Sequence, residues 1–486
     1  MKIKSIYFLV LFFFHLSDLS AQGLDDWKVY PSFSTVHSIA AGEDRYFAGT
    51  LGGIFSVTNG ELNTYTVIDG LYRSDPLSLV FDEGSDRLFA GYVDGTIDVI
   101  DIKSNGIDQL SDIRRVERFS NKAINDFKVH GDRIYVSTDF GIVIYDINSL
   151  LVEDSYVKIG TFDVGTKVNS IEINADSIYV ATNQGVGVAS LSQNLFESES
   201  WLNYQTGQQI NTVQKVIPFN DLTYALSDRK VYVLENQAWN ISMDFPENDI
   251  LDLKKNQSGN TIGGLSENTI YLLDSEGNSE SISIEKGSAT IFELVNEEII
   301  FGTRNDGLGF YSGSTSASEY YLPTGPYLNF FNDLLTDGGT LLATSTSEFP
   351  SADPFNPIRG YYILRNGNWE NYNRNTDDRL SNINTVFIAG DNSENYYLGA
   401  WGSGIITHEK KTNDIKVYNS DNSSLRGIMS NPNYVVISGL DEDSGENMWA
   451  VSFNSQFPLY VQPSGGSDWI PFTGVSGSDN YYKLFV

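Results

Sequence analysis

A unit of about 40 residues recurs along the chain, and no other feature of the sequence constrains its fold as strongly. A typical copy consists of an apolar stretch, a small residue or threonine, a turn with glycine, and a second apolar stretch, and the pattern degrades but persists in the fifth and sixth copies. With the turns placed at positions 53, 95, 141, 185, 230, 269 and 307, the spacings are 42, 46, 44, 45, 39 and 38 residues. A period of this length indicates one supersecondary unit per repeat, as in solenoids and propellers.

The composition within each copy favours strands over helices. In stretches such as Arg133–Thr138, β-branched and aromatic residues recur with the period-two alternation of strands. Two more strands complete a copy: an outer one with an aromatic pair, such as Trp201–Tyr204, and an inner one, such as Leu77–Phe81. Four strands in such a period are typical of a propeller blade. The sequence therefore predicts an all-β chain of blades, with the strand Trp27–Tyr30 closing the ring by joining the last blade.

We interpret the chain as three parts. Residues 1–21 are predicted to be a signal peptide, because Lys2 and Lys4 precede an apolar run and Ala21 offers a cleavage site. A low-complexity stretch and two prolines predict a boundary near 322, so residues 22–322 are expected to form a seven-bladed β-propeller. Residues 323–486 are expected to form an incomplete second β-propeller, with three blades and part of another that starts at Trp469–Phe472 and continues at residues 481–486. On this interpretation the sequence is the N-terminal part of a longer protein.

Charge and cysteine content exclude several classes of function. The chain has 31 Lys and Arg against 63 Asp and Glu, a formal net charge of -32. Nucleic acid is not an expected partner, because neutralising phosphates requires a basic face. The chain has no cysteine, which excludes disulfides, thiolate metal sites and cysteine nucleophiles. Together with the signal peptide, this predicts an exported acidic protein stabilised by a large core.

The sequence predicts no enzymatic activity, no catalytic residue, no metal ligand and no cofactor. His37, His130 and His408 lie in different repeats, and none has a second ligand at metal-binding spacing. Three acidic runs are compatible with calcium loops, and the best of them for calcium is the last. We favour hairpin turns for all three, because each directly precedes a predicted strand. The runs are residues 82–86, 391–395 and 441–446.

The densest basic cluster against this acidic background contains Arg114, Arg115 and Arg118. It lies in a connection between two predicted blades, where propellers carry binding groups. Guanidinium groups suit phosphate or carboxylate, so we predict that the three arginines bind an anionic ligand. A solvated surface run is the alternative interpretation. A second candidate binding loop is the proline-containing insertion at residues 347–359, which is longer than a blade turn requires.

The order of several motifs in residues 25–190 resembles the N-terminal propeller of PorZ proteins, and the resemblance continues more weakly, as a blade pattern, to the end of the sequence. The motifs that carry it are Trp27–Tyr30, Gly53–Ser56, Asp69–Leu71, Gly91–Tyr92 with Gly95–Ile100, Ala123–Phe127, Ile134–Thr138 and Phe140–Val143. Short repeats of this form also occur in the sensor propellers of two-component regulators. The order of the motifs and the signal peptide make the combination more specific than any one motif.

The resemblance implies a non-enzymatic cell-surface subunit of the type IX secretion system of Bacteroidota, peripherally associated with the outer membrane. Proteins of that family contain two seven-bladed propellers and a C-terminal β-sandwich, work with the sortase PorU and the outer-membrane proteins PorV and PorQ, and supply anionic lipopolysaccharide for attachment to cargo. The resemblance offers no catalytic residue. One alternative is a periplasmic carbohydrate-sensing propeller of a two-component regulator. Another is a propeller glycan lyase or hydrolase, which requires paired carboxylates that the sequence does not single out.

Overall fold

The chain folds into β-strands. The computed structural model describes residues 28–204, 212–246, 249–286, 288–295, 298–312, 318–345, 360–383 and 386–473. Within these ranges the regular elements are strands and two short 3₁₀ turns, at Ser198–Ser200 and Asp378–Leu380. The all-β prediction is therefore confirmed. The predicted signal peptide and the insertion at 347–359 lie outside the described residues.

The strands form antiparallel four-stranded sheets in chain order. The first four sheets are β1 to β4 (Val36–Ala41, Arg45–Thr50, Gly53–Thr58, Glu61–Tyr65), β5 to β8 (Ser78–Asp82, Arg87–Gly91, Ile97–Asp101, Gly106–Leu110), β9 to β12 (Ile124–His130, Arg133–Thr138, Gly141–Asp146, Val152–Tyr156) and β13 to β16 (Val168–Asn174, Ser177–Thr182, Gly185–Ser190, Trp201–Tyr204). The fifth to seventh are β17 to β20 (Lys215–Phe219, Leu222–Ser227, Lys230–Glu235, Ala238–Ile241), β21 to β24 (Asp252–Lys255, Thr261–Leu265, Thr269–Asp274, Ser279–Ser283) and β25 to β28 (Ala289–Val295, Glu298–Thr303, Leu308–Ser312, Ser318–Tyr321).

Three more sets of four strands follow. They are β29 to β32 (Asp333–Asp337, Thr340–Thr344, Tyr361–Arg365, Asn368–Tyr372), β33 to β36 (Val386–Asp391, Asn395–Gly402, Gly404–Glu409, Ile415–Tyr418) and β37 to β40 (Val435–Glu442, Met448–Ser452, Leu459–Gln462, Ile470–Phe472). The last two sets join into one eight-stranded sheet, because β34 also pairs with β37. The prediction that Trp469–Phe472 starts a further blade is wrong, because β40 pairs with β39 as the fourth strand of its set.

The glycine turn of the repeat joins the second and third strands of a sheet. The Thr138 hydroxyl donates to the Gly141 carbonyl (2.9 Å) and accepts from the Phe140 amide (3.2 Å), which closes the turn. Gly141 has φ 135°, and a Cβ there would lie 2.3 Å from the Tyr156 carbonyl oxygen of the outer strand. Only glycine tolerates both conditions. The same threonine-to-glycine bond recurs at Thr50–Gly53, Thr182–Gly185 and Thr303–Gly307.

A β-bulge near the start of several inner strands links neighbouring sheets. The extra residue at the bulge points its side chain at a backbone carbonyl at or just before the next inner strand. The described bonds run from His37 to Pro76, Asn125 to Val168, Asn169 to Val213, and Thr290 to Val36. Each bond ties one sheet to the next, and the last ties the seventh sheet to the first.

The inner strands surround a common axis. From β1 to β25, each inner strand contacts the inner strand of the next sheet, and β25 also contacts β1. Apolar side chains fill the space between adjacent sheets, as where Phe55 and Val36 of the first sheet pack with Ile300 of the seventh. The prediction that Trp27–Tyr30 closes the ring as a strand is wrong. Residues 28–35 form no strand, and the seventh sheet takes all its strands from residues 289–321.

Candidate functional site

The predicted arginine cluster lies in the connection from β8 to β9, here called the arginine loop (Ser111–Lys122). We call the surface that carries the connections from the fourth strand of one sheet to the first strand of the next the upper face. The turns between second and third strands lie on the same face, because antiparallel strands alternate in direction. The side chains of Arg114, Arg115 and Arg118 are all exposed. The loop holds four basic and two acidic residues, so it is locally basic in an acidic chain.

Arg114 is the arginine most firmly positioned by its neighbours. Its Nε lies 3.5 Å from Asp94 Oδ2, and its guanidinium lies 5.2 Å from the centroid of the Tyr72 ring. The Tyr72 hydroxyl donates to the same Asp94 oxygen (2.8 Å), and Lys122 Nζ donates to the Arg114 carbonyl (2.7 Å). Burial alone would raise the pKa of Asp94, but the bonds from Tyr72 and Thr96 and the Arg114 charge together lower it. Asp94 thus provides Arg114 with a counter-ion that is fixed in place.

The side chains of Arg118 and Arg115 have fewer contacts with neighbouring residues than the side chain of Arg114 has. The Arg118 guanidinium lies 5.3 Å from the centroid of the adjacent Phe119 ring, which itself stacks on Phe140. Arg115 is anchored through its backbone, because its amide donates to the Ser111 carbonyl (3.0 Å). Both guanidinium groups therefore face solvent with hydrogen-bond donors available to an incoming oxyanion. The structure places the three arginines on one loop.

A buried carboxyl group lies beneath this loop. Asp98 of β7 is fully buried, and its Oδ2 accepts from the Tyr92 hydroxyl (2.6 Å) and the Tyr72 amide (2.8 Å). Its other oxygen, Oδ1, has no hydrogen-bond partner. Burial raises the pKa of Asp98 to about 6, the two hydrogen bonds oppose the rise, and the Asp94 charge adds to it. Tyr72 thus connects the buried carboxyl to the Asp94–Arg114 pair.

A second charged region lines the axis between the inner strands. The cavity there has a volume of about 630 Å³ and is lined by residues of β1, β5, β9, β13, β17, β21 and β25. Ion pairs span it between sheets. They are Lys128–Glu172 (2.8 Å), Lys215–Asp126 (2.8 Å), Lys255–Glu172 (3.5 Å) and Lys254–Glu293. Among the described residues, four lysines and three carboxylates line the cavity, so the charges are largely balanced.

Lys254 illustrates why this network stabilises the arrangement of inner strands. Burial alone would lower the pKa of Lys254, but the charges of Glu293, Asp252 and Asp126 and a hydrogen bond to Glu293 raise it. The ammonium group is therefore held charged between acids that belong to its own strand and to the inner strands of the third and seventh sheets. Its charge neutralises carboxylates that would otherwise repel one another across the cavity.

His408 and the acidic runs occupy ordinary structural positions. His408 is fully buried, and its ring nitrogens contact Tyr361 Oη (2.9 Å) and Asn413 Oδ1 (3.1 Å). The preferred interpretation of the acidic runs as turns is confirmed. Asp82 accepts from the Ser85 amide, and Asp443 accepts from the backbone amides of Gly445 and Asn447. Within the described residues, no group of three or more His, Cys, Asp or Glu is arranged to hold a metal ion.

Sequence reasoning identified the arginine loop and missed the groups beneath and beside it. Asp98 had a readable signal, because it interrupts the apolar run from Ile97 to Ile100. An axial lysine also had such a signal, because Lys128 lies between Phe127 and Val129. The partners of the axial lysines belong to other sheets, and no local pattern identifies them. No helix in the part of the chain that the structure describes has the length and hydropathy needed to cross a membrane.

Comparison with known proteins supports the resemblance stated above. Residues 46–202 match the family model of the N-terminal β-propeller domain of PorZ, a type IX secretion protein. The fold is similar to PorZ of Porphyromonas gingivalis, described as an essential bacterial surface component of the type-IX secretion system, with a TM-score of 0.74 and 17% identity. The alignment covers 92% of this chain and 60% of PorZ, so the chain spans about three fifths of the length of PorZ. No curated protein sequence matches the chain significantly.

Two extracellular domains from B. thetaiotaomicron align less closely. One is described as part of a hybrid two component system and aligns over 94% of this chain and 61% of its own, with 14% identity and a TM-score of 0.46. The other is described as part of a one component system and aligns over 90% of this chain and 59% of its own, with 15% identity and a TM-score of 0.45.

Proposed function

We propose that this chain is a non-enzymatic surface subunit of a type IX secretion system. The observation that carries the proposal is the match of residues 46–202 to the N-terminal propeller domain of PorZ, supported by a fold similarity that extends over 92% of the chain. In this role the chain is exported by the signal peptide at residues 1–21 and lies at the cell surface, peripherally attached to the outer membrane.

The domain plan that goes with this role has two propellers. The sheets β1 to β28 form a seven-bladed ring within residues 22–322, which the contact between β25 and β1 supports. The sheets β29 to β40 are the first blades of a second propeller within residues 323–486. The described strands of this second part account for three sets of four. The rest of the predicted partial blade, at residues 481–486, lies outside the described residues.

In this proposal the arginine loop binds an anionic group of a lipopolysaccharide. Arg115 and Arg118 offer guanidinium donors to phosphate or carboxylate, and Arg114 adds a third donor held in place by Asp94. Apolar residues accompany the charges on the upper face: Val93, next to Asp94, is 51% exposed. A locally basic loop beside apolar side chains suits an amphiphilic anion, although the chain as a whole carries a net charge of -32.

The remaining surface is proposed to hold the sortase and the outer-membrane proteins of the attachment complex. Rigid propeller rings suit this role, because their loops are displayed on a scaffold that binding does not need to reorganise. The chain would deliver lipopolysaccharide to the sortase, which would join it to cargo. No bond is made or broken by this chain, so the role requires no catalytic residue.

A pull-down tests the role. The full chain, tagged, is recovered from detergent-solubilised outer membranes, and the bound proteins and lipids are identified by mass spectrometry. We expect a sortase, its outer-membrane partners and lipopolysaccharide. Recovery of the chain alone, or with an inner-membrane kinase, would contradict the proposal and favour carbohydrate sensing.

Substitution of the loop tests the binding site separately. The triple variant Arg114→Gln, Arg115→Gln, Arg118→Gln should reduce recovered lipopolysaccharide about tenfold, leave the recovered proteins unchanged, and weaken the salt dependence of lipid binding. A control variant that removes three exposed lysines elsewhere matches the change in charge: Lys103→Gln, Lys411→Gln, Lys416→Gln. Equal lipid recovery with both variants would show that the arginine loop is not the site.

A further inference from the structure

Arginine side chains bridge the first sheets of the ring on the face opposite the arginine loop, here called the lower face. Arg45, which begins β2, reaches the second sheet, where its Nη1 lies 2.6 Å from Asp86 Oδ1. Arg87, which begins β6, reaches the third sheet and donates to the Ile147 carbonyl (2.9 Å). Arg133 holds the same place in the third sheet but pairs with Glu153 of its own sheet. The chain thus uses a guanidinium group to fill the lower-face groove at two junctions.

The contact between the seventh and first sheets, here called the closing seam, has a glutamate at the corresponding position. Glu298 begins β26 and pairs with Ser312, as Arg45 pairs with Thr58 in the first sheet. The acidic residue that precedes the second strand is retained on the other side of the seam: Asp44 precedes Arg45 as Asp86 precedes Arg87. At this seam a carboxylate therefore replaces the guanidinium group, and carboxylates lie on both sides of the groove.

The groove at the closing seam also has aromatic walls. Tyr46 and Phe310 meet edge to face with ring centroids 5.0 Å apart at 70°, and Phe310 and Tyr321 do so at 5.3 Å and 85°. Tyr46 holds the position that Leu88 holds in the second sheet, so the aromatic wall is not a general property of the junctions. Three rings at steep angles to one another border a pocket of about 290 Å³ that opens to solvent.

The pocket is strongly acidic. Asp44, Glu298 and Glu319 line it, and its lining, all within the described residues, includes no lysine or arginine. Glu298 accepts from the Tyr46 hydroxyl (2.9 Å), and Glu319 accepts from the Tyr321 hydroxyl (3.1 Å). Both hydroxyl groups are therefore turned toward carboxylates. Ring faces and carboxylates together provide the environment that attracts an organic cation.

We infer that this pocket binds the guanidinium group of an arginine side chain from a partner protein. A planar guanidinium can stack on an aromatic face while its N–H groups reach two carboxylates, which a lysine ammonium cannot match. The junction between the first and second sheets supports the choice of arginine. There Arg45 of this chain pairs with Asp86, the residue equivalent to Asp44 of the pocket. The inference does not depend on the proposed role in secretion, since it rests on the lower face and involves no lipid.

The test uses a single-arginine probe, because a polybasic peptide would bind so acidic a chain without specificity. N-acetylarginine amide is titrated into the full chain and followed by saturation-transfer NMR, with N-acetylcitrulline amide as the neutral analogue of the same shape. We expect millimolar binding of the arginine probe and none of the citrulline probe. Absence of binding, or equal binding of the two probes, would overturn the inference.

Two substitutions at one position locate the site. Glu298→Gln should weaken the probe about three- to tenfold by removing one charged partner. Glu298→Arg should abolish probe binding and raise the melting temperature, because the new side chain can pair with Asp44 as Arg45 pairs with Asp86. The matched controls are Glu199→Gln and Glu199→Arg, at an exposed position of the 3₁₀ turn that precedes β16. Unchanged binding in both Glu298 variants, or the same loss in the Glu199 variants, would refute the assignment.

Discussion

The buried carboxyl of Asp98 makes a prediction whose size follows from the structure. Its pKa is raised from 3.8 to about 6, because burial disfavours the charged form. Between these values the folded state binds more protons than the unfolded state, so stability falls as pH rises through this range. The full rise corresponds to roughly 3 kcal/mol, of which about 1.4 kcal/mol falls between pH 5 and pH 7.5.

The perturbation is Asp98→Asn, which removes the titration and keeps an oxygen that can accept from Tyr92 and Tyr72. The free energy of unfolding is measured by urea denaturation, followed by Trp and Tyr fluorescence, at several pH values from 5 to 7.5. Relative to the variant, the wild-type chain should lose about 1.4 kcal/mol as pH rises across this range. Effects of the large net charge on both proteins cancel in the difference.

Asp101→Asn is the control, because Asp101 lies on the same strand and the substitution changes the net charge equally. Hydrogen bonds from Ser104 lower the pKa of Asp101. Its stabilising contribution is therefore present above its unfolded pKa and is lost only as pH falls toward the folded pKa, below the range measured. The Asp101 difference should be flat. A flat difference for Asp98→Asn, or one of opposite sign, would refute the account of a buried, destabilised carboxylate.

Two further predictions concern how the inner strands are held together. Asn169→Ala removes the hydrogen bond from the bulge to the next sheet and should lower the free energy of unfolding by about 1–2 kcal/mol in urea denaturation. The control Asn148→Ala, at an exposed turn, should change the free energy of unfolding little. Equal effects of the two substitutions would mean that the bulge bond contributes nothing. Lys254→Met leaves its carboxylate partners uncompensated and should lower the free energy of unfolding by about 3 kcal/mol. Adding Glu293→Gln in a double variant should restore part of this loss. Additive losses from the two substitutions in the same assay would contradict the pairing.

Much of the fold could be predicted from the sequence, because each repeat carries its own local instructions. In four of the turns that the structure describes, a threonine and a glycine interact within a few residues, as Thr138 does with Gly141, so the same residue pattern recurs in the sequence. The arginine loop could also be predicted, because the exposure of charged side chains in a connection between strands does not depend on how the sheets pack. The strand predicted at Trp27–Tyr30 was wrong because its aromatic pattern resembles that of an outer strand, while pairing depends on which edges meet in space.

The sequence by itself determined the all-β class, the period of the sheets and the basic loop, because these depend on residues that are near one another in the chain. Tertiary structure alone decided the pairings that give the surfaces their chemistry. Lys215 meets Asp126 across 89 positions, and Tyr46 meets Glu298 across 252. Electrostatic and aromatic contacts act over a few ångströms of space whatever the separation along the chain, so only the closed arrangement of sheets brings such groups together.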